Sequence, residues 1–196
     1  MKITITLKGT SPLLMHNPRM VDTEYDLNRQ IKAITGKNKK TDEDHRMIAR
    51  LEWYGGLYTG IDAKGATIIT QPTSKVRKCI INTARISKMG KMVERALSFS
   101  ELDVPLIYDG PTDIDAVFAD ERFTSRLSVG VKGSRVMRVR PKFMTWGLSV
   151  SGLFIEDAGI NFDDLERIVE LAGLVEGIGD NRVNGYGRFV GTVKAA

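Results

Sequence analysis

The chain has 196 residues, which suits one domain with elaborated loops and a single core that buries about 70% of the unfolded surface. Its 29 Lys and Arg against 24 Asp and Glu give a net charge of +5, and 42% hydrophobic with 27% charged residues excludes wholesale disorder. One cysteine excludes a disulfide framework and a paired-CxxC zinc site, no apolar run approaches a membrane span, and the start MKITITLKGT is not a signal peptide, so a reducing cytoplasmic location is expected.

Residues 1–7 alternate, with Ile3, Ile5 and Leu7 on one face, and predict a strand that Gly9-Thr10-Ser11-Pro12 ends. Residues 22–35 read as a helix on Tyr25, Leu27 and Ile31, followed by the basic loop Gly36-Lys37-Asn38-Lys39-Lys40. Thr41 or Asp42 caps a second helix with acids in its first turn and Met47, Ile48 and Leu51 behind them, and Gly55-Gly56 stops it. Residues 57–61 and 66–70 flank the turn Asp62-Ala63-Lys64-Gly65 as a short hairpin. Gln71-Pro72-Thr73-Ser74 opens the next helix, since proline and hydroxyls both suit a first turn. There Val76, Ile80, Thr83 and Ser87 share one face, and Lys75, Lys78, Arg85 and Lys88 share another. Cys79 stands beside Val76 and Ile80 and reads as a buried structural thiol.

Residues 102–121 hold Pro105, Gly110 and Pro111 and read as an irregular acidic surface stretch. Residues 123–142 alternate about Gly133-Ser134 and predict a basic hairpin. Residues 146–155 form a half-buried strand. Asn161 caps an amphipathic helix with Phe162, Leu165, Ile168, Val169, Ala172 and Val175 inside, and residues 188–193 close the chain as a strand. The coarse order is β, an inserted helical segment, α, ββ, α, β. This is an α+β single domain over residues 1–196 with a ferredoxin-like or RRM-like core. A helical insertion follows the first strand at about 18–66, and a second insertion at about 96–145 carries the basic β-hairpin.

The charge is segregated. Residues 71–95 carry seven basic residues and one acid, and residues 122–142 carry seven basic residues and no acid. Residues 96–121 carry seven acids and no base, and residues 156–180 sum to −7. Basic stripes of this density attract polyanions through counterion release; the competing account pairs basic with acidic segments, within one subunit or between neighbours.

The segment GIGDNRVNGYGRF, residues 177–189, sets four glycines around Asp180, Asn181, Arg182, Asn184 and Arg188. Glycines permit positive φ and close approach of a ligand, the arginines supply charge, and Tyr186 offers a stacking face. The loop follows a helix and precedes a strand, which disfavours a dinucleotide-binding turn; the competing account is a tight connection whose glycines serve geometry alone. This segment resembles the glycine-rich loop of the RAMP superfamily of CRISPR-associated proteins. IITQPTSKVRKCIINTARI, residues 68–86, is similar to that family's strand, proline-hydroxyl segment and basic helix at Pro72, Thr73, Ser74, Lys75 and Arg77, although Thr73-Ser74 replaces the usual Gly-Ser. Within the superfamily the chain looks most like the effector-complex backbone subunit, a Cas-seven-like protein.

That resemblance implies a non-enzymatic subunit of an antiviral-defence ribonucleoprotein, binding guide-like single-stranded RNA. Copies would associate head-to-tail in a filament with other effector-complex subunits, without cofactor, metal or membrane. The residues agree with an RNA path. A helix N-terminus at Thr73-Ser74 beside Lys75 suits phosphate, with Arg77, Lys78 and Arg85 further along. Gly179, Asn181, Arg182, Gly185, Tyr186, Gly187 and Arg188 form the loop, and Arg126, Arg135, Arg138 and Arg140 make the hairpin a groove wall or a finger between bases. Catalysis stays an alternative. His16, in PLLMHNPR, lies near where some RAMP endoribonucleases place a catalytic histidine, and His45 reads as solvated. Some related backbones cut target RNA with a metal-supporting aspartate in the first loop, for which Asp22 and Asp26 are the candidates. A guide-processing endoribonuclease and a binder of single-stranded DNA, or a mimic of such a subunit, are the other readings.

Overall fold

The computed structural model describes residues 1–131 and 133–195; Lys132, counted in the basic stretch, lies outside them. The first half of the chain forms β1 (Lys2–Gly9), β2 (Leu13–Leu14), α1 (Asp26–Thr35), α2 (Asp42–Gly56), β3 (Thr59–Ile61), β4 (Thr67–Pro72), α3 (Thr73–Ala84), α4 (Gly90–Ala96) and β5 (Leu97–Phe99). Then come β6 (Asp103–Pro105), β7 (Ile107–Tyr108), α5 (Ile114–Ala119), β8 (Thr124–Val131), β9 (Ser134–Phe143), β10 (Trp146–Phe154), α6 (Phe162–Val175) and β11 (Phe189–Ala195). The architecture is mixed α+β with antiparallel sheets. It divides into two compact units: Met1–Leu13, Thr59–Asp109 and Met144–Ala196 make the first, Leu14–Tyr58 and Gly110–Phe143 the second. Among the described residues no helix is long and apolar enough to cross a membrane.

The first unit is built on a sheet of order β11-β1-β10-β5, with β7 also on β10. The alternation in β1 puts Ile3, Ile5 and Leu7 on the buried face, and Ile5 sits between Val150 of β10 and Val193 of β11. β10 alternates in the same way, burying Trp146, Leu148, Val150 and Phe154. α6 packs on β11, and α3 packs on α6 and β5. They bury Val76, Ile80, Leu165, Ile168, Val169 and Ala172, each larger aliphatic chain contributing about 1.5–3 kcal/mol. Cys79 is buried here as expected; its Sγ lies 3.8 Å from the Ala172 carbonyl, and burial pushes the thiol up to about 12. Gly173 lets α6 lie against β11, because a Cβ there would stand 1.9 Å from the Phe189 oxygen. The expected hairpin is β3 against β4, closed by the Asp62 carboxylate, which accepts from the Lys64 and Ala66 amides at 2.8 Å.

In the second unit α2 packs on β9. Trp53 is fully buried and donates Nε1–H to the Phe123 carbonyl at 2.9 Å. The basic hairpin forms as expected: β8 and β9 pair from Thr124↔Pro141 to Val131↔Ser134, with Gly133 at φ 82° in the turn. Thr41 caps α2 in a reciprocal capping box with Asp44.

Several expectations are corrected. The helix over 22–35 begins only at Asp26, because residues 18–21 form a separate single turn. The second helix does end at Gly55-Gly56 as expected, with the two glycines as its last residues, where Cβ atoms would meet Met20 Sδ at 2.1 Å and Pro141 Cδ at 2.9 Å. The stretch 102–121 is not irregular: β6 pairs with β4, β7 with β10, and Asp113 caps α5. Val175 is exposed rather than inside, being the last residue of α6.

Candidate nucleic-acid interface

The glycine-rich segment is a pinched loop seated on the end of β1. The Gly177 amide donates to Ala172 O at 2.8 Å and closes α6; the Ile178 amide donates to Gly187 O at 2.9 Å and forms the neck. Gly187 N–H reaches Pro12 O at 2.8 Å, and Ser11 Oγ donates to Gly185 O at 2.7 Å while accepting from the Arg188 amide at 2.9 Å. The residues that end the first strand are therefore the loop's seat, a partnership that local sequence signals cannot carry. Gly177, Gly179, Gly185 and Gly187 all have positive φ, from 69° to 84°. At Gly187 the requirement is steric as well, since a Cβ would lie 1.7 Å from Ile178 O.

The charges around this loop form a chain. Arg182 pairs with Glu176, and Glu176 also accepts from Asn82 Nδ2 at 3.0 Å. Burial works against ionisation of Glu176, but the hydrogen bonds from Asn82 and Arg182 outweigh it and hold the carboxyl below its ordinary value. Asn82 accepts in turn from Arg85 Nη1 at 3.1 Å. Arg188 gives Nη2–H to Arg182 O at 3.2 Å, and its Nη1 is buried with no acceptor. Arg182 and Arg188 line a cleft of about 620 Å³ together with the carboxylates of Glu176 and Asp180.

The loop is thus linked to α3 through Glu176 at Asn82, not at the helix opening where Thr73-Ser74 were expected to receive phosphate. Those two points are about 13 Å apart at 1.5 Å per residue. The opening is closed as well. Thr73 is buried, its amide donates to Leu102 O at 2.9 Å and its hydroxyl to Glu101 O at 2.6 Å, and Pro72 is the N-cap without a side-chain bond. Ser74, Lys75, Lys78 and Arg85 are exposed. Arg77 is not available to a ligand in the same way. Its guanidinium spans the end of α4, with Nε donating to Leu97 O at 2.9 Å and Nη2 to Glu94 O. Asn82 and Glu176 are polar residues in helical segments that gave no motif; only the folded network reveals them.

In the second unit, Arg126 and Arg135 are exposed on the hairpin, and Arg135 Nε donates to Ser128 Oγ at 3.0 Å. Arg138 pairs with Glu52 of α2 at 2.5 Å, and the other Glu52 oxygen accepts from the Val139 amide at 2.9 Å. Glu52 is the residue sequence reasoning missed here, one acid among many in a charged helix. Arg140 lies beside this pair, and burial pushes its guanidinium below its ordinary value, with Arg138 adding to the effect.

The catalytic candidates are dispersed. His16 is exposed and its carbonyl accepts from Tyr58 Oη–H at 3.0 Å. The Asp22 carboxylate accepts from the Glu24 amide at 2.9 Å, and Asp26 opens α1 paired with Arg29. Among the described residues no three His, Cys, Asp or Glu side chains cluster as metal ligands. No protein-family model matches the chain, and no curated protein matches it, so the family resemblance rests on the residues quoted for it.

Proposed function

We propose that the chain is a non-enzymatic RNA-binding protein of the RAMP type, a backbone subunit that assembles along a guide RNA in a CRISPR-type ribonucleoprotein. The observation that carries this reading is Arg188: a guanidinium whose Nη1 is buried without an acceptor, beside Arg182, in an open cleft next to a loop of positive-φ glycines. A buried N–H left unpaired costs about 1–3 kcal/mol, and turning the guanidinium toward the cleft would let a phosphate oxygen satisfy it.

Two further features support it. The strand order β11-β1-β10-β5, with α3 before β5 and α6 before β11, supports a ferredoxin-like reading of the first unit, and RNA-recognition domains use a four-stranded sheet to bind single-stranded RNA. The exposed Lys75, Lys78 and Arg85 add positive charge along α3. Aromatic residues are sparse along it, so phosphate contacts dominate over base stacking.

The test is anisotropy of labelled single-stranded RNA and of DNA of the same sequence, with the parent and Arg188→Leu. The reading expects tighter binding of RNA, because a 2′-hydroxyl distinguishes the two, and a loss of about tenfold or more across all sequences in the variant. Equal binding by a folded Arg188→Leu protein would remove the glycine-rich loop from the RNA path. Metal-free cleavage of a labelled hairpin RNA would instead establish the endoribonuclease reading.

A further inference from the structure

β11 is the last strand of the first unit's sheet, and among the described residues no strand pairs with its outer side. Hydrogen-bond parity fixes which of its groups face that side. The Met1 amine donates to Phe154 O at 2.7 Å and the Phe154 amide to Met1 O at 2.9 Å, so Ile3, Ile5 and Leu7 turn their amides and carbonyls to β10. Thr4, Thr6 and Lys8 therefore turn theirs to Lys194, Thr192 and Val190. That leaves Gly191, Val193 and Ala195 directing N–H and C=O outward. At Phe189 the edge is closed, because Gly173 of α6 packs against its carbonyl.

Edge strands are ordinarily blunted by a proline, a bulge or an inward-pointing charge. β11 has none of these. Its seven residues pair with β1 in unbroken register, and its one charge, Lys194, alternates onto the face away from the buried Val193. Beside the edge runs a groove of about 400 Å³, floored by Val190, Gly191, Thr192 and Val193 and walled by Glu166 and Glu170 of α6. α6 runs antiparallel to β11, with Gly173 against Phe189 and Val169 against Gly191, which sets Glu170 near Gly191 and Glu166 near Val193. The two glutamates are about 6 Å apart along the helix at 1.5 Å per residue, and alternate residues of an extended strand are about 6.6 Å apart. Both are exposed, and Arg167, which also borders the groove, is held by Asp164 at 3.3 Å.

We propose that this edge is a docking site for an extended basic segment of a partner protein, which adds a strand beside β11 and sets a Lys or Arg at every second position against Glu170 and Glu166. Backbone bonds to Gly191 and Val193 hold the segment, and the two carboxylates select its sequence. A second copy's β11 is the poorer occupant, since edge-to-edge pairing would bring the glutamates of two α6 helices face to face. The same pair repels a nucleic acid. The site stands on the sheet edge and takes nothing from the RNA-binding reading.

The test is fluorescence anisotropy of a labelled peptide, TVKVKVT, with the RNA-free chain. TVEVEVT is the charge control, and TVKVKVT is also made with N-methyl groups either on its two lysines or on its valines. TVKVKVT should bind and TVEVEVT should not. A strand turns alternate amides to its neighbour, so methylation of one set should abolish binding while methylation of the other leaves it. Glu166→Gln combined with Glu170→Gln, both at exposed positions, should weaken binding about tenfold, and Arg188→Leu should leave it unchanged. The inference is overturned if the parent does not bind TVKVKVT, if the folded double variant binds it as tightly, or if both methylated peptides bind like the unmethylated one, which would mean contact through charge alone. It is equally overturned if the RNA-free chain sediments as a dimer with β11 amides protected from exchange, which would give the edge to a second copy. Loss of RNA binding in Arg188→Leu reports on the glycine-rich loop separately, so failure of one reading leaves the other measurable.

Discussion

Gly187 and Gly185 sit two residues apart with similar backbone angles, yet substitution should separate them. Both have positive φ, 69° and 84°, which an L side chain adopts at a cost of about 1–3 kcal/mol. At Gly185 a Cβ meets nothing within 4 Å, so Gly185→Ala should cost about 1 kcal/mol, leaving a folded protein whose RNA affinity can be measured. At Gly187 the Cβ would stand 1.7 Å from a backbone oxygen that belongs to the loop's own neck, so Gly187→Ala must open the Ile178–Gly187 pinch. A loss above about 3 kcal/mol is expected by denaturant unfolding, and equal midpoints for the two variants would show the neck to be unimportant. Charge reversal at Arg182 is a poorer probe than its surface position implies, because Arg182 holds Glu176, and Glu176 holds Asn82. Lys75, exposed and outside that chain, reports on binding with less risk to folding. Cys79 provides an internal clock. Its thiol is pushed up to about 12 and is buried, so alkylation by iodoacetamide near neutral pH should follow the rate of opening and not the concentration of thiolate at the surface. Fast alkylation without unfolding would mean that α3 and α6 part readily.

The start of α2 shows how an element depends on two side chains. Hydrogen bonding from Lys37, then from the Thr41 amide, pulls Asp44 down to about 2 from its ordinary 3.8. A carboxyl whose folded value is depressed adds stability above its unfolded value and loses that contribution as the pH falls through the folded one. The stability difference between the parent and Asp44→Asn should therefore be full above about pH 5 and shrink steadily as the pH falls toward and below about 2, as read from urea midpoints. A difference that does not change with pH would assign the effect to the helix cap alone. Thr41→Ala removes the other half of the box and should cost about 1 kcal/mol. Elements with a long, clean period were legible in the sequence: β1, β10 and α6 declare which face is buried, and β8–β9 declares itself as a hairpin. The stretch 102–121 was not, because β6 and β7 have three and two residues and exist only by pairing with β4 and β10. β5, also three residues, was hidden in the same way between α4 and the acidic run. At the candidate site the arginines and glycines were visible by composition, while Asn82 and Glu52 gave no local signal, since what they do is set by partners 94 and 86 residues away.

At the scale of the molecule, cations and acids are sorted into separate regions, and this sorting governs both ligand binding and self-association. If about five phosphates are neutralised on each chain, the log–log salt slope for single-stranded RNA should be near −3.5, and each removed contact should lower it by about 0.7. A slope near zero would exclude an electrostatic path. The acidic stretches have no such ligand. On α6, Asp163, Glu166 and Glu170 stand exposed on the outer face, and residues 96–121 carry seven acids without a base. An acidic face on one part of a chain and a basic face on another are complementary between copies but not self-matched, so the contact they favour is heterologous. A heterologous contact that does not close into a ring propagates as an open helix, and a long polyanion that neutralises the basic excess would promote it. Sedimentation of the protein with long single-stranded RNA should give species that grow with RNA length and shrink with added salt. Glu166→Lys combined with Glu170→Lys should shorten those species while leaving the affinity for an RNA of a few nucleotides unchanged. Strict one-to-one complexes on long RNA at saturating protein would contradict head-to-tail assembly and leave the chain as an isolated binder.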